Sequence, residues 1–317
     1  MIYEWVKYMR TFKELSKKEL KKLSKEERIA YQKEAIEYYG NLKEQLKYYK
    51  IKGLAHPFLL FATNFFPTKL IKLNELNLPK DGGPVIFSAN HSNSNDFPNL
   101  MKIIKTHFFI LSDFTMLNDP VVNTLNKLNG CIYVDRKSKK SGQNAFKQSV
   151  DGINKGYNMV VFPEGTWNLL QSQPILPRKW GDIKIAQETG RPIVPIVMEY
   201  SGQNCFVKTG KPIYISKSDN IQKCDEMLYD IMATLKYDIW DSEIYKKNYE
   251  EISYDEWLKK NISGYKYFDV PYEMGIIRKT DDYHKEEFDK ILEVGEQVHP
   301  SKTFEKKLIK SKINYRL

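Results

Sequence analysis

Cysteine is scarce: Cys131, Cys205 and Cys224 are the only three in 317 residues, at spacings that fit neither a disulfide framework nor a zinc array. A reducing, cytoplasmic setting is the expectation. Histidine is equally sparse, and His56, His107, His284 and His299 are scattered without ligand spacing, so no metal site is expected. Long apolar runs are missing too. GLAHPFLLFATNFFP, at 53–67, is interrupted by His56, Pro57 and Asn64 and falls short of the roughly 20 apolar residues that a membrane span needs. Lying in an interface suits this segment better than crossing. The opening MIYEWVKYMRTFKEL carries charges throughout its first turns and so does not read as an export signal. No Gly-x-Ser-x-Gly elbow, internal repeat or low-complexity tract occurs.

What is present describes a folded protein, with 41% hydrophobic and 28% charged residues in a chain long enough to bury a large core. Its charge is unevenly placed. Residues 1–80 hold 17 basic and 9 acidic side chains, which accounts for +8 of the net +10 and leaves the remainder near neutral. A basic, aromatic-rich front end suits an anionic surface, phospholipid or nucleic acid; a merely solvated helical face is the alternative.

Residues 10–50 read as one or two amphipathic helices, since Leu15, Leu20, Leu23, Ile29 and Ala30 recur at helical spacing among Lys and Glu. Phe58, Phe61, Phe65 and Phe66 follow, either to enter a lipid interface or to pack a core. Pro79 and the Asp81-Gly82-Gly83 turn mark the entry to a more compact region. From there β-branched or apolar runs (PVIFSAN, HFFIL, CIYV, MVVF, PIVPIVMEY, CFVKTGKPIYI) alternate with helical stretches. That alternation predicts an α/β fold, a mixed, mostly parallel β-sheet flanked by helices. Three regions result: a basic helical membrane-associating arm at 1–80, a catalytic domain at 81–218 and a helical C-terminal extension at 219–317.

Three segments could carry chemistry. In NHSNSNDFP, Asp96 stands two residues before Pro98 and ahead of an apolar helical pattern, so it is predicted at a helix N-terminus with His91 on the preceding loop. A turn of that kind lets the carboxylate reach the imidazole, fix its tautomer and support it as a general base; a helix cap beside a packed ring is the plainer reading. In MVVFPEGTWN, Pro163 ends a strand, and Glu164, Gly165 and Thr166 form either a hydroxyl-binding turn or an ordinary one. In GCIYVDRK, Arg136 suits a phosphate or a salt bridge to a neighbouring acid.

Taken in order, NHSNSND, CIYVDR, FPEGT and RPIVPIV resemble the four blocks of the glycerolipid acyltransferase superfamily, typified by lysophosphatidate acyltransferase, over roughly residues 84–215. The resemblance implies transfer of a fatty acyl group from acyl-CoA or acyl carrier protein to a glycerolipid hydroxyl, with no covalent enzyme intermediate and no further cofactor. It makes His91 the general base and Asp96 its orienting partner. By the same resemblance Arg136, Glu164, Gly165 and Thr166 hold the acceptor, and Pro195 borders the acyl chain or donor. The implied partners are a lysolipid, an acyl thioester and an anionic membrane on its cytoplasmic side, rather than nucleic acid. Two departures bear on the acceptor. Trp167-Asn168 stands where the family commonly has Arg-Ser, which removes a charge-assisted contact worth about 1.5–3 kcal/mol. Ser112-Asp113 stands where a Lys-Glu pair is usual. An esterase, a metal-dependent phosphohydrolase and a non-catalytic lipid- or nucleic-acid-binding protein are the rival readings.

Overall fold

The computed structural model describes residues 49–245 apart from 93, 114–124, 127, 137, 169 and 171–172, together with isolated positions between 19 and 31. Most of the expected N-terminal helical arm and the C-terminal extension beyond 245 lie outside the described residues.

Among the described residues, seven strands form one sheet in the order β1-β7-β6-β2-β5-β3-β4. They are β1 (Lys69–Lys72), β2 (Ile86–Ala89), β3 (Phe108–Asp113), β4 (Cys131–Val134), β5 (Asn158–Val161), β6 (Ile193–Ser201) and β7 (Asn204–Thr209). Strands β6, β2, β5, β3 and β4 run parallel to one another, while β7 returns antiparallel to β6 and β1 lies parallel to β7. The predicted mixed, mostly parallel sheet is therefore present. The near-continuous apolar character of VIF, HFFI and IVPIV reflects burial on both faces, as parallel strands under helices require; every residue of β2 is buried.

Helices α1 (Tyr49–Ala62), α2 (Asp96–Ile104), α3 (Lys139–Asn154), α4 (Gly181–Thr189) and α5 (Ile221–Trp240) accompany the sheet. Along β2 the side chains alternate: Phe87 and Ala89 join the cluster that includes Leu100, Ile103 and Ile104 of α2 and Leu59 of α1, whereas Ile86 faces Ile153, Ile183 and Leu228. Elements on both sides of the 81–218 region pack with it. β1 precedes residue 81 yet pairs with β7, and α5 follows residue 218 yet packs on β6 and β7.

A fully buried guanidinium fastens two of the helices. Arg178 bonds Asp182 in α4 and reaches Asp225 in α5 at 3.0 Å, and Ser88 of β2 donates to the same Asp182 at 2.7 Å. A charge so placed is tolerated only because acids meet it on two sides. Three turns further along α5, Lys236 bonds the Met198 carbonyl at 2.7 Å and Glu199 at 2.8 Å. Burial alone would raise Glu199, but the Lys236 ammonium outweighs it and holds the carboxyl below its ordinary range.

In the aromatic segment, Leu59 is buried, Phe66 is half-buried, and Phe58, Phe61 and Phe65 are 69%, 60% and 78% exposed. Three of the four phenylalanines thus stand outside the core. Among the described residues no helix is long and apolar enough to cross a membrane.

Candidate active site

The carboxyl ends of neighbouring parallel strands form one edge of the sheet, the place where open α/β sheets bind ligands. His91 follows β2, the Glu164 turn follows the adjacent β5, Asp113 ends β3, Arg136 follows β4 and Tyr200 lies near the end of β6. Topology alone gathers the predicted segments there.

Asp96 opens α2 as predicted, and it is completely buried. Its Oδ2 lies 2.7 Å from His91 Nδ1 and accepts the Ser92 backbone N–H at 2.8 Å; its Oδ1 accepts the Tyr200 hydroxyl at 2.6 Å. Three donors converging on two oxygens is the pattern that an acceptor-only carboxylate satisfies. The Tyr200 phenol is pushed well above its ordinary value, first by burial and then by the Asp96 charge, so it remains a donor; Asn99 Nδ2 donates to its oxygen at 3.1 Å. Neither Tyr200 nor Asn99 belongs to the sequence-predicted set. The available signal was positional: Tyr200 sits at the end of the strand run PIVPIVMEY, and strand ends are where such sites form.

The loop after β5 encloses His91. Phe162 stacks on the imidazole with ring centres 4.1 Å apart and planes 16° from parallel. Glu164 Oε1 accepts the His91 backbone N–H at 2.8 Å, its Oε2 accepts the Leu176 N–H at 2.8 Å, and Asn168 N–H donates to the His91 carbonyl at 2.7 Å. Both Glu164 oxygens therefore serve the backbone of the site. Burial pushes this carboxyl up to about 7, against the lowering effect of its two N–H partners. Trp167, itself buried, directs its indole Nε1–H to His91 Nε2 at 2.8 Å. Because indole can only donate, Nε2 is the acceptor, and Nδ1 carries the proton that faces Asp96.

Gly165 adopts a left-handed φ of +70°, and a Cβ there would come within 2.7 Å of Lys179 Nζ. The left-handed backbone is what calls for glycine, and the flexible Lys179 chain packs across it. Thr166 is buried on the same loop.

Arg136 and Pro195 lie apart from His91. Arg136 Nε bonds Asp113 at 2.7 Å, joining the ends of β3 and β4, so the pairing with a neighbouring acid is present and uses one residue of the unusual Ser112-Asp113 pair. Pro195 sits inside β6 in register with Ser88. Its carbonyl accepts the Gly210 N–H at 2.9 Å, one residue past the end of β7, and a Cβ on Gly210 would be 3.2 Å from its ring. Proline is accommodated at the break between the β6–β7 ladder and the isolated Ile193–Ile213 bridge beyond it. Asn90 completes the frame by exchanging hydrogen bonds with the Met198 N–H and carbonyl, at 2.7 and 3.0 Å, which ties the β2 exit to β6.

In sequence, the chain is similar to named acyltransferases. The profile of the family described as Acyltransferase matches residues 70–199. The chain is 29% identical over 197 residues to a 1-acyl-sn-glycerol-3-phosphate acyltransferase of Borreliella burgdorferi, covering 61% of this chain and 71% of that one. It is 29% identical over 165 residues to the chloroplastic enzyme of the same name, BAT2, from Brassica napus, covering 47% and 46% respectively. It thus spans nearly three quarters of the first relative and under half of the second. A crystal structure of the 1-acyl-sn-glycerophosphate acyltransferase PlsC from Thermotoga maritima superposes at a TM-score of 0.47 with 17% identity, over 67% of this chain and 84% of that one, a likeness too loose to carry the comparison further. Over residues 70–199 the chain is thus similar to the family described as Acyltransferase, and the relatives it resembles carry the name 1-acyl-sn-glycerol-3-phosphate acyltransferase.

Proposed function

We propose that this protein transfers an acyl group from an acyl thioester, acyl-CoA or acyl carrier protein, to a hydroxyl of lysophosphatidate or a related lysophospholipid. The observation that carries this reading is the geometry of His91: Nδ1 is held by buried Asp96 at 2.7 Å while Nε2 serves as an acceptor. Nε2 takes the proton of the acceptor hydroxyl as its oxygen attacks the thioester carbonyl carbon. The positive charge that develops on the ring is met by Asp96. Collapse of the tetrahedral intermediate breaks the C–S bond, and the imidazolium returns the proton to the departing sulfur, giving an ester and a free thiol.

Lysophosphatidate is the acceptor that the relatives' names indicate. Lys179, whose ammonium lies over Gly165, is a cation beside the loop in which Trp167 offers none. A second reading, an acceptor without a phosphomonoester, is favoured by Trp167 itself. Exposed Phe58, Phe61 and Phe65 support docking at the cytoplasmic face of an anionic bilayer, where both substrates reside. The test is incubation of the protein with labelled acyl-CoA or acyl carrier protein and a panel comprising lysophosphatidate, a lysophosphodiester and a monoacylglycerol. Label in phosphatidate is expected. Label only in another ester selects the second reading, and label only in free fatty acid refutes transfer.

A further inference from the structure

We infer that Trp167 gates the base: its indole N–H occupies His91 Nε2 in the resting protein and must be displaced by the acceptor hydroxyl before transfer begins. This rests on the proposed function and adds a residue to it. A neutral imidazole offers one in-plane lone pair at its unprotonated nitrogen, and an indole N–H can only donate. At 2.8 Å the Trp167 Nε1–H fills that lone pair. A hydroxyl proton cannot approach the same electrons while the indole remains, so the acceptor and Trp167 compete for one atom. Water is subject to the same competition.

The backbone around the gate is fixed. Glu164 binds the His91 N–H and Asn168 N–H binds the His91 carbonyl, so Trp167 stands between two points pinned to the residue it covers. Release is therefore a rotation of the indole about its side-chain bonds, with the loop staying in place. Phe162 on the ring face and Asp96 at Nδ1 hold the imidazole still meanwhile. The consequence is selectivity against hydrolysis. A base left open would activate water against the bound thioester, whereas this one is uncovered only by an acceptor whose binding offsets the lost indole bond.

The test uses the full chain with a long-chain acyl-CoA, with and without lysophosphatidate. Trp167→Phe keeps an aromatic ring and removes the donor. Fatty acid release without acceptor should rise about two- to tenfold, the range that one neutral hydrogen bond spans. The acceptor KM should fall by a similar factor with kcat retained, and both effects should vanish when His91→Ala is added. A purely structural role for Trp167 would lower both rates. In case that variant folds poorly, the wild type carries a second measurement: the five tryptophans give indole N–H resonances, and the one altered by His91→Ala identifies Trp167. That resonance should shift when lysophosphatidate saturates the protein. Hydrolysis unchanged in a folded Trp167→Phe protein, or a resonance unmoved by an acceptor that is being acylated, overturns the gate. Absence of transfer to every lysolipid overturns the function beneath it.

Discussion

Replacing Asp96 with Asn separates two contributions that the carboxylate makes. Oδ2 receives His91 Nδ1–H and Ser92 N–H, while Oδ1 receives the Tyr200 hydroxyl. An amide oriented with its oxygen at the Oδ2 position keeps both bonds on that side. Its NH2 then meets the Tyr200 oxygen, which can accept. In this orientation the imidazole tautomer survives and only the charge is lost. Bonds to a charged group contribute roughly 1.5–3 kcal/mol and neutral ones roughly 0.5–1.5, so the deficit is about 1–2 kcal/mol, or about 5- to 30-fold in rate. The opposite orientation presents NH2 to Nδ1, which forces the proton onto Nε2 and sets it against the Trp167 N–H. In hydrolase triads the wrong tautomer costs about ten-thousandfold. Because the His91 and Ser92 N–H groups both face the Oδ2 position, the first orientation is favoured and kcat should fall about 5- to 30-fold in a steady-state transfer assay. Loss of under twofold would show that Asp96 does not support the base, and a loss near ten-thousandfold would show that the tautomer is not held as described.

Tyr200→Phe removes a hydroxyl donor to a buried carboxylate, so transfer should fall about tenfold or more, given roughly 1.5–3 kcal/mol for such a bond; an unchanged rate would detach Tyr200 from the site. Glu164, raised from its ordinary 4.5 to about 7, binds its proton more tightly folded than unfolded, so its share of stability falls as pH rises from about 4.5 to about 7. That decline is on the order of 3 kcal/mol, and it should be absent from Glu164→Gln when denaturant midpoints are compared across this range; parallel curves for the two proteins would contradict the assignment. Replacing Phe58, Phe61 and Phe65 together with Ser should weaken sedimentation with phosphatidylglycerol vesicles at least tenfold, since burying one such ring contributes roughly 1.5–3 kcal/mol. Unaltered sedimentation would remove this face from the interface.

Much of the sheet was legible because parallel strands buried on both faces are short apolar runs, and PVIFSAN, HFFIL, CIYV, MVVF and PIVPIVMEY became β2 to β6. Strand β1 was not, since KLIK is only two aliphatic residues between lysines, shows no period-two pattern and reads equally as a linker; its membership depends on β7, more than 130 residues away. His91 and Asp96 could be paired from spacing because both belong to one turn and helix start. Tyr200 and Trp167 could not be joined to them, since those contacts cross strands with sequence separations of 104 and 76. Trp167 was noticed only for the charge it lacks, whereas in the fold its N–H is the feature that matters. Glu164 drew attention as a polar group on a turn, and its contacts to the His91 and Leu176 N–H groups could not be read from sequence because they cross 73 and 12 residues.

His91 is the residue on which the account depends. The direct measurement is the formation of labelled phosphatidate from acyl-CoA and lysophosphatidate by the wild type and by His91→Ala, with the unfolding transition of each recorded alongside. The wild type should transfer, and the variant should retain a cooperative unfolding transition while its transfer falls to background. Full activity in a folded His91→Ala protein would contradict the assignment of the base.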